Sequence, residues 1–187
     1  MSTRPSRRAL RGAGTVLALA ALLTAGLVSC STLPLPASPD ESLVVFTGSV
    51  KYFVVREMSV TGAVLSIESL DRAGAKSATA ILNDEFGYAA VSLVPGTYRV
   101  RLSGISCKNA RGGTWTDRHD RNLGSLYVEP NSVILFRNHV SVSAGNWYNY
   151  RLNGWLMDSE IERILEMLRA DARWPAWDAY SLVNFLR

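Results

Sequence analysis

The chain has 187 residues, with 20 basic and 16 acidic side chains, a formal charge of +4 and 48% hydrophobic residues. The surplus is concentrated at one end: Arg4, Arg7, Arg8 and Arg11 all precede the first acidic residue, Asp40. Without those four arginines, 16 basic residues face 16 acidic ones, so the rest of the chain is neutral and carries no basic excess for nucleic acid.

The arginines are followed by an apolar run from Thr15 to Leu23, shorter than the roughly 20 residues of a membrane span. Small residues then lead to Cys30. A basic stretch, a short apolar stretch and a small-residue zone describe a secretory signal peptide over residues 1–29. Leu27-Val28-Ser29-Cys30 resembles the bacterial lipobox. That resemblance implies cleavage before Cys30, a diacylglycerol group on its thiol, and acylation (palmitate, for example) of the new N-terminus. Each buried CH₂ contributes about 0.8 kcal/mol, and two or more chains give firm anchoring. The competing readings are an ordinary secretory signal with a chance cysteine and an uncleaved signal anchor. Ser6-Arg7-Arg8-Ala9-Leu10-Arg11 partly resembles a twin-arginine export signal, but Arg11 stands where a second apolar residue is usual.

Residues 30–41 read as a lipidated cysteine and a tether. The segment carries Pro34, Pro36 and Pro39 with Ser, Ala and Thr, and little that could form a core. The eleven residues from Ser31 to Glu41 would extend about 34 Å as polyproline II, at roughly 3.1 Å each. With Cys30 blocked by lipid, Cys107 has no intramolecular disulfide partner. It reads as a small buried apolar residue, with an intermolecular bridge or a reactive thiol as the alternative.

Residues 42–157 have the texture of short strands. Ser42–Phe46 and Val50–Val55 are rich in β-branched and aromatic residues, and Val64–Leu70 alternates. Thr79–Leu82, Tyr88–Val94, Tyr98–Leu102, Leu123–Val128, Ser132–Phe136, Val140–Val142 and Trp147–Leu152 continue the series. Gly62, Gly74, Asn83-Asp84, Pro95-Gly96, Pro130-Asn131 and Gly145-Asn146 supply turns between them. Such spacing predicts a sandwich or barrel.

Ser103–Asn122 interrupts the pattern. It carries Gly104, Gly112 and Gly113, one tryptophan and six charges, and reads as a long connection of the kind that is often functional. Trp115 there is either a binding anchor for a sugar face or a protein pocket, or a residue folded back on the sandwich. With Arg118 and His119 it forms the candidate contact for a ligand or partner. Trp147-Tyr148-Asn149-Tyr150 with Trp155 is either a second aromatic platform or core.

Residues 158–187 change period. Ile161, Ile164, Leu165, Leu168 and Ala172 share one helical face, which predicts an amphipathic helix over Ser159–Arg173 packed on the sandwich. Ser159 and Glu162 have capping-box spacing, acidic residues crowd the start, Arg169 and Arg173 the end, and Pro175 terminates it. The aromatic tail with Trp174, Trp177, Tyr180 and Phe185 fits either strand or short helix.

The most specific internal signal runs from Asn83 to Val100. Asp84–Gly87 predicts a tight turn, with Gly87 free to take positive φ. A strand follows, then Pro95-Gly96 as a second turn and Tyr98, Val100 and Leu102 on one face. Asp84, Gly87, Tyr88, Leu93, Pro95, Gly96, Tyr98 and Val100 resemble the hallmark of carboxypeptidase regulatory-like, or transthyretin-like, domains. The resemblance covers about residues 42–102 and departs at Asn83, where threonine is usual. It implies a prealbumin-like antiparallel β-sandwich, here with a C-terminal amphipathic helix, and carries no chemistry of its own. Ser42-Leu43-Val44-Val45 is more loosely similar to the first strand of uncharacterised spirochaete lipoproteins.

Catalytic motifs are sparse. There is no Gly-x-Ser-x-Gly, no Ser-x-x-Lys, no phosphate loop and no HExxH or CxxC. Asp117-Arg118-His119-Asp120 holds metal-ligand types but lacks the partners a site needs, and His139 sits in a strand as a packed or hydrogen-bonded residue. The expectation is a non-enzymatic envelope lipoprotein with no cofactor or metal. It would be held to the membrane by lipid on Cys30 and act as a binding or assembly module for an envelope protein. Carbohydrate or peptidoglycan binding is the alternative, and a hydrolase using His119 or His139 ranks below both. Ser31, where an aspartate retains some lipoproteins at the inner membrane, points to the outer membrane.

Overall fold

The computed structural model describes residues 33–51, 58–71, 77–83, 87–136, 138–144, 148–153 and 157–183. The segment expected to be a signal peptide and Cys30 lie outside them. The strands are β1 (Ser42–Lys51), β2 (Met58–Ser69), β3 (Ala78–Asn83), β4 (Tyr88–Leu93), β5 (Gly96–Asn109), β6 (Thr114–Val128), β7 (Ser132–Leu135), β8 (His139–Ala144), β9 (Tyr148–Asn153) and β10 (Ser181–Val183). Among the described residues one helix, α1 (Asp158–Arg169), and a 3₁₀ turn (Trp174–Ala176) precede β10. The fold is mainly β: two sheets packed face to face, with the helix near the C-terminus.

The first sheet is built on β1. Its N-terminal half pairs with β4 on one side, Ser42 to Leu93 through Thr47 to Tyr88, antiparallel. On the other side it pairs with β7 and then β8, both parallel. Leu43 faces Val133 and Gly48 faces Val140, so the register slips by two residues between β7 and β8. The Phe136 N–H still donates to the Val45 carbonyl at 2.9 Å. β7 and β8 therefore act as one interrupted strand along β1. Beyond it, β10 pairs with β7 in parallel and β9 with β8 antiparallel.

Parallel pairing departs from the antiparallel sheets expected from the sequence, and the chain path explains it. After β1 the chain builds the second sheet, in the order β3-β2-β5-β6, visiting the first sheet once at β4, and after β6 it returns at the end where β1 began. There the Ser42 hydroxyl donates to the Glu129 carbonyl, and the Ser132 N–H donates to Ser42 Oγ at 3.1 Å. A strand that restarts beside the start of β1 must run in its direction, and the second sheet serves as the crossover that parallel strands require.

Burial on both faces follows. Val44, Phe46, Ile134 and Phe136 point into the core between the sheets, with Leu65, Ile67, Leu82, Val100 and Leu102 opposite. Leu43, Val45, Val133 and Leu135 point the other way, into a second core shared with α1 and Trp177. Strands covered on both faces read as continuous apolar runs rather than alternation, as Leu43-Val44-Val45-Phe46 and Val133-Ile134-Leu135-Phe136 do.

Three expectations are corrected. The Pro-rich segment is not a free tether from Leu33 onward. Leu33 is fully buried in the second core, because the C-terminal segment offers it both an apolar seat and hydrogen-bond partners. Ser103–Asn122 is not an irregular loop: β5 runs on to Asn109 and β6 begins at Thr114. The helix starts earlier than its presumed capping box and ends at Arg169. Met157 is its N-cap, and the Glu160 carboxylate accepts the Met157 N–H at 2.9 Å. Ile161, Ile164, Leu165 and Leu168 are buried as its periodicity predicts, but Ala172 lies beyond the helix and is exposed. Asp171 turns the chain before Pro175, its Oδ1 accepting the Arg173 N–H at 2.9 Å.

Candidate functional site

Two features could carry function: the long β5–β6 arm and the clamp on the amino-terminal segment. The arm starts at the turn singled out in the sequence. Gly87 and Gly96 both have positive φ, +68° and +152°. The Tyr98 hydroxyl donates to the Val94 carbonyl at 2.8 Å, closing the chain around Pro95-Gly96. The Thr97 N–H donates to the Asp71 carboxylate, and the Leu70 N–H to the Thr97 carbonyl at 2.8 Å, so the turn is also tied to the end of β2.

From there β5 and β6 pair antiparallel, from Gly96 opposite Val128 to Lys108 opposite Thr114. The turn at the tip is organised by Asn109, whose Oδ1 accepts the Arg111 N–H at 3.1 Å and the Gly113 N–H at 2.8 Å. β5 is lined by β2 on its other side, out to Met58 opposite Asn109. Its inward residues Ile105 and Cys107 are buried, and the Cys107 Sγ lies 3.7 Å from the Ile105 carbonyl, which accepts from the thiol. β6 ends the order of its sheet, so among the described residues one side of this strand carries no ladder.

The three contact residues expected from the sequence all lie on β6, but they do not converge. Trp115 faces Cys107 directly across the ladder and is 38% exposed. Arg118 is three positions on, in an unbroken register, and so points to the opposite face. His119 lies where the register shifts between Leu102 and Gly104 and is half-buried. Trp147, Tyr148, Tyr150 and Trp155, the second aromatic candidate, have side chains outside the described residues.

The clamp is made by residues of the aromatic tail and the stretch just after α1. The Leu33 N–H donates to Asp171 Oδ2 at 3.3 Å, and Arg173 Nη1 donates to the Leu33 carbonyl at 2.9 Å. Trp177 Nε1 donates to the Pro34 carbonyl at 2.9 Å, and the Tyr180 hydroxyl to that of Pro39 at 3.4 Å. The Trp177 and Tyr180 rings meet edge to face, with centroids 5.0 Å apart. Further along, the Glu41 carboxylate accepts the Ala37 N–H at 2.7 Å and the Ser92 hydroxyl. A proline-rich segment suits this role because its carbonyls, free of helix or sheet partners, remain available to accept. The sequence signal was present in Trp177 and Tyr180, but nothing local pairs them with residues about 140 positions earlier.

A polar group lies on the helix-covered face of the first sheet. His139 Nδ1 is 3.2 Å from Thr47 Oγ1, and its Nε2 is 3.4 Å from Ser49 Oγ. The Ser49 hydroxyl donates to Ser141 Oγ at 3.2 Å. Burial pulls the His139 pKa below its usual value, and the charge of Glu160 opposes this in part. Both ring nitrogens face hydroxyls, and among the described residues no hydrogen bond joins the ring to a carboxylate, the group that orients the histidine in a Ser-His-Asp triad. Among the described residues there is no group of three His, Cys, Asp or Glu able to hold a metal, and no helix long and apolar enough to cross a membrane. Comparison with protein-family models, curated proteins and solved structures gave no match to this chain.

Proposed function

We propose that the chain is a lipoprotein of the bacterial cell envelope, anchored through lipid on Cys30, that acts as a binding or assembly module for an envelope protein. The observation that carries this reading is the order of basic stretch, apolar stretch and Leu27-Val28-Ser29-Cys30. The exposed β6 side of the arm, with Trp115 and Arg118 on its two faces, supplies the surface for a partner. We read the sandwich as related to carboxypeptidase regulatory-like domains. The turn-closing bond of Tyr98 and the positive φ of Gly87 and Gly96 give that motif its physical sense. Ser31 in the position after Cys30 supports the outer membrane as the destination.

The test has two readouts. A Cys30→Ser chain should leave the membrane fraction, and full retention after export and cleavage rejects the anchor. Pull-down of the native chain from detergent extract should recover a stoichiometric envelope protein, and Trp115→Ala or Arg118→Ala should lose it. The exposure of Trp115 also supports carbohydrate or peptidoglycan recognition as a second reading. A glycan panel that changes fluorescence of the native chain but not of Trp115→Phe decides for it.

A further inference from the structure

We propose that the clamp on Leu33–Glu41 fixes the orientation of the domain on the membrane, with the clamped end against the lipid surface and the arm tip pointing away from it. This rests on the lipoprotein reading and adds to it a membrane-facing surface.

The argument is one of reach. Cys30 precedes Leu33 by three residues. An extended chain spans at most about 3.6 Å per residue, so a lipidated Cys30 stays within about 11 Å of Leu33. Leu33 cannot pay out as slack: its side chain is fully buried, and both its N–H and its carbonyl are held by the C-terminal segment. Acyl chains on Cys30 must enter the bilayer, so this end of the domain is drawn to the surface. Leu35, two residues on, is 58% exposed, and a lipid interface suits an apolar side chain presented there.

The same end holds the start of the arm. Trp177 and Tyr180, which grip Pro34 and Pro39, lead into β10, where Ser181 pairs with Ser132 and donates its N–H to the Asn131 carbonyl at 3.1 Å. Ser132 is joined to Ser42 and Glu129, and Ser42 pairs with Leu93, just before the arm begins. From Gly96 to Asn109 β5 rises about 43 Å at roughly 3.3 Å per residue. The turn at Asn109–Gly113 is thus carried to the far end of the ladder, where a partner off the membrane would meet it.

The experiment uses the full chain, extracted in detergent and reconstituted in vesicles of phosphatidylethanolamine and phosphatidylglycerol. In a Cys107→Ala background, Leu35→Cys and Arg111→Cys each take an environment-sensitive fluorophore, and nitroxide-bearing lipids act as quencher. The label at position 35 should lose most of its fluorescence and that at position 111 should keep it. Equal quenching at the two positions, or stronger quenching at 111, overturns the proposal. Inserting a Gly/Ser linker of about a dozen residues between Thr32 and Leu33 should restore fluorescence at 35 while the chain still floats with the vesicles. Persistent quenching overturns the proposal too, because short linkage would not be its cause. Flotation is read separately: a native chain that fails to float rejects the anchor itself, whereas one that floats with 35 unquenched rejects only the orientation.

Discussion

The centre of the first sheet and the outer half of the β5–β6 arm are both extended chain, yet they differ in what their side chains meet. β1 and β7 are covered on both faces, by the inter-sheet core and by the helix layer. On the arm, β5 has one buried face, and β6 from Thr114 to Asn122 is exposed except for half-buried His119. Apolar burial contributes roughly 25 cal/mol per Å², so β1 and β7 carry a large share of the stability and outer β6 very little. A strand freed from that task can hold charges and a tryptophan at its surface. The difference separates a scaffold from a region available for contact.

The largest effect should come from breaking the doubly covered region. Trp177 is fully buried, and its indole N–H holds Pro34. Trp177→Ala should lower unfolding free energy by about 3–5 kcal/mol in urea titration, since it removes a large core side chain and leaves a cavity. It should also raise amide hydrogen exchange over Leu33–Glu41 before the rest of the domain responds. Unchanged exchange there would mean that Asp171, Arg173 and Tyr180 hold the segment without the indole.

Tyr98→Phe should cost less, about 1 kcal/mol, because the hydroxyl bond to the Val94 carbonyl is lost while the ring stays packed. A loss of several kcal/mol in thermal or urea unfolding would show that the turn, rather than the core beneath it, organises the start of the arm.

The same contrast decides how much of the molecule was legible in the sequence. Alternation in Tyr98–Leu102 and the helical period from Ile161 to Leu168 mark elements with one wet and one dry face, and both are found where the pattern puts them. Outer β6 gave no such signal, because exposure on both faces removes the alternation that betrays a strand. Ile105 and Cys107 did alternate with Ser106 and Lys108, a short cue that β5 continues. The clamp was illegible for another reason. It joins Leu33, Pro34 and Pro39 to residues near the opposite end of the chain, and no local pattern encodes such a pairing. The candidate contact residues Trp115, Arg118 and His119 stand together in the sequence, but strand geometry sends Trp115 and Arg118 to opposite faces.

His139 offers a pH-dependent probe of the first sheet. Its pKa lies below the usual 6.5, chiefly through burial, with Glu160 working in the opposite sense. Between the folded and unfolded values the unfolded chain binds the extra proton, so stability falls as pH drops below about 6.5 and levels off below the folded value. His139→Gln, which cannot titrate, should flatten that part of the stability profile measured from pH 7 to 5. An equal slope in both proteins would assign the dependence to other groups.

The smallest effect is expected on the arm. Asp120 pairs with Arg101, but its side chain is 72% exposed and that of Arg101 30%. Water and salt screen such a pair, so Asp120→Asn should change unfolding free energy by less than about 1 kcal/mol, and by less still at high salt. The charges on β6 have a different use. An edge strand presents free backbone donors and acceptors, and charged side chains with register breaks discourage another strand from adding to it. β6 has both, in Asp117, Arg118, Asp120 and Arg121 and in two register shifts against β5. Replacing those four residues together by serine should therefore leave unfolding nearly unchanged while light scattering reports self-association. Large destabilisation without association would place the arm with the scaffold and erase the distinction between the two regions.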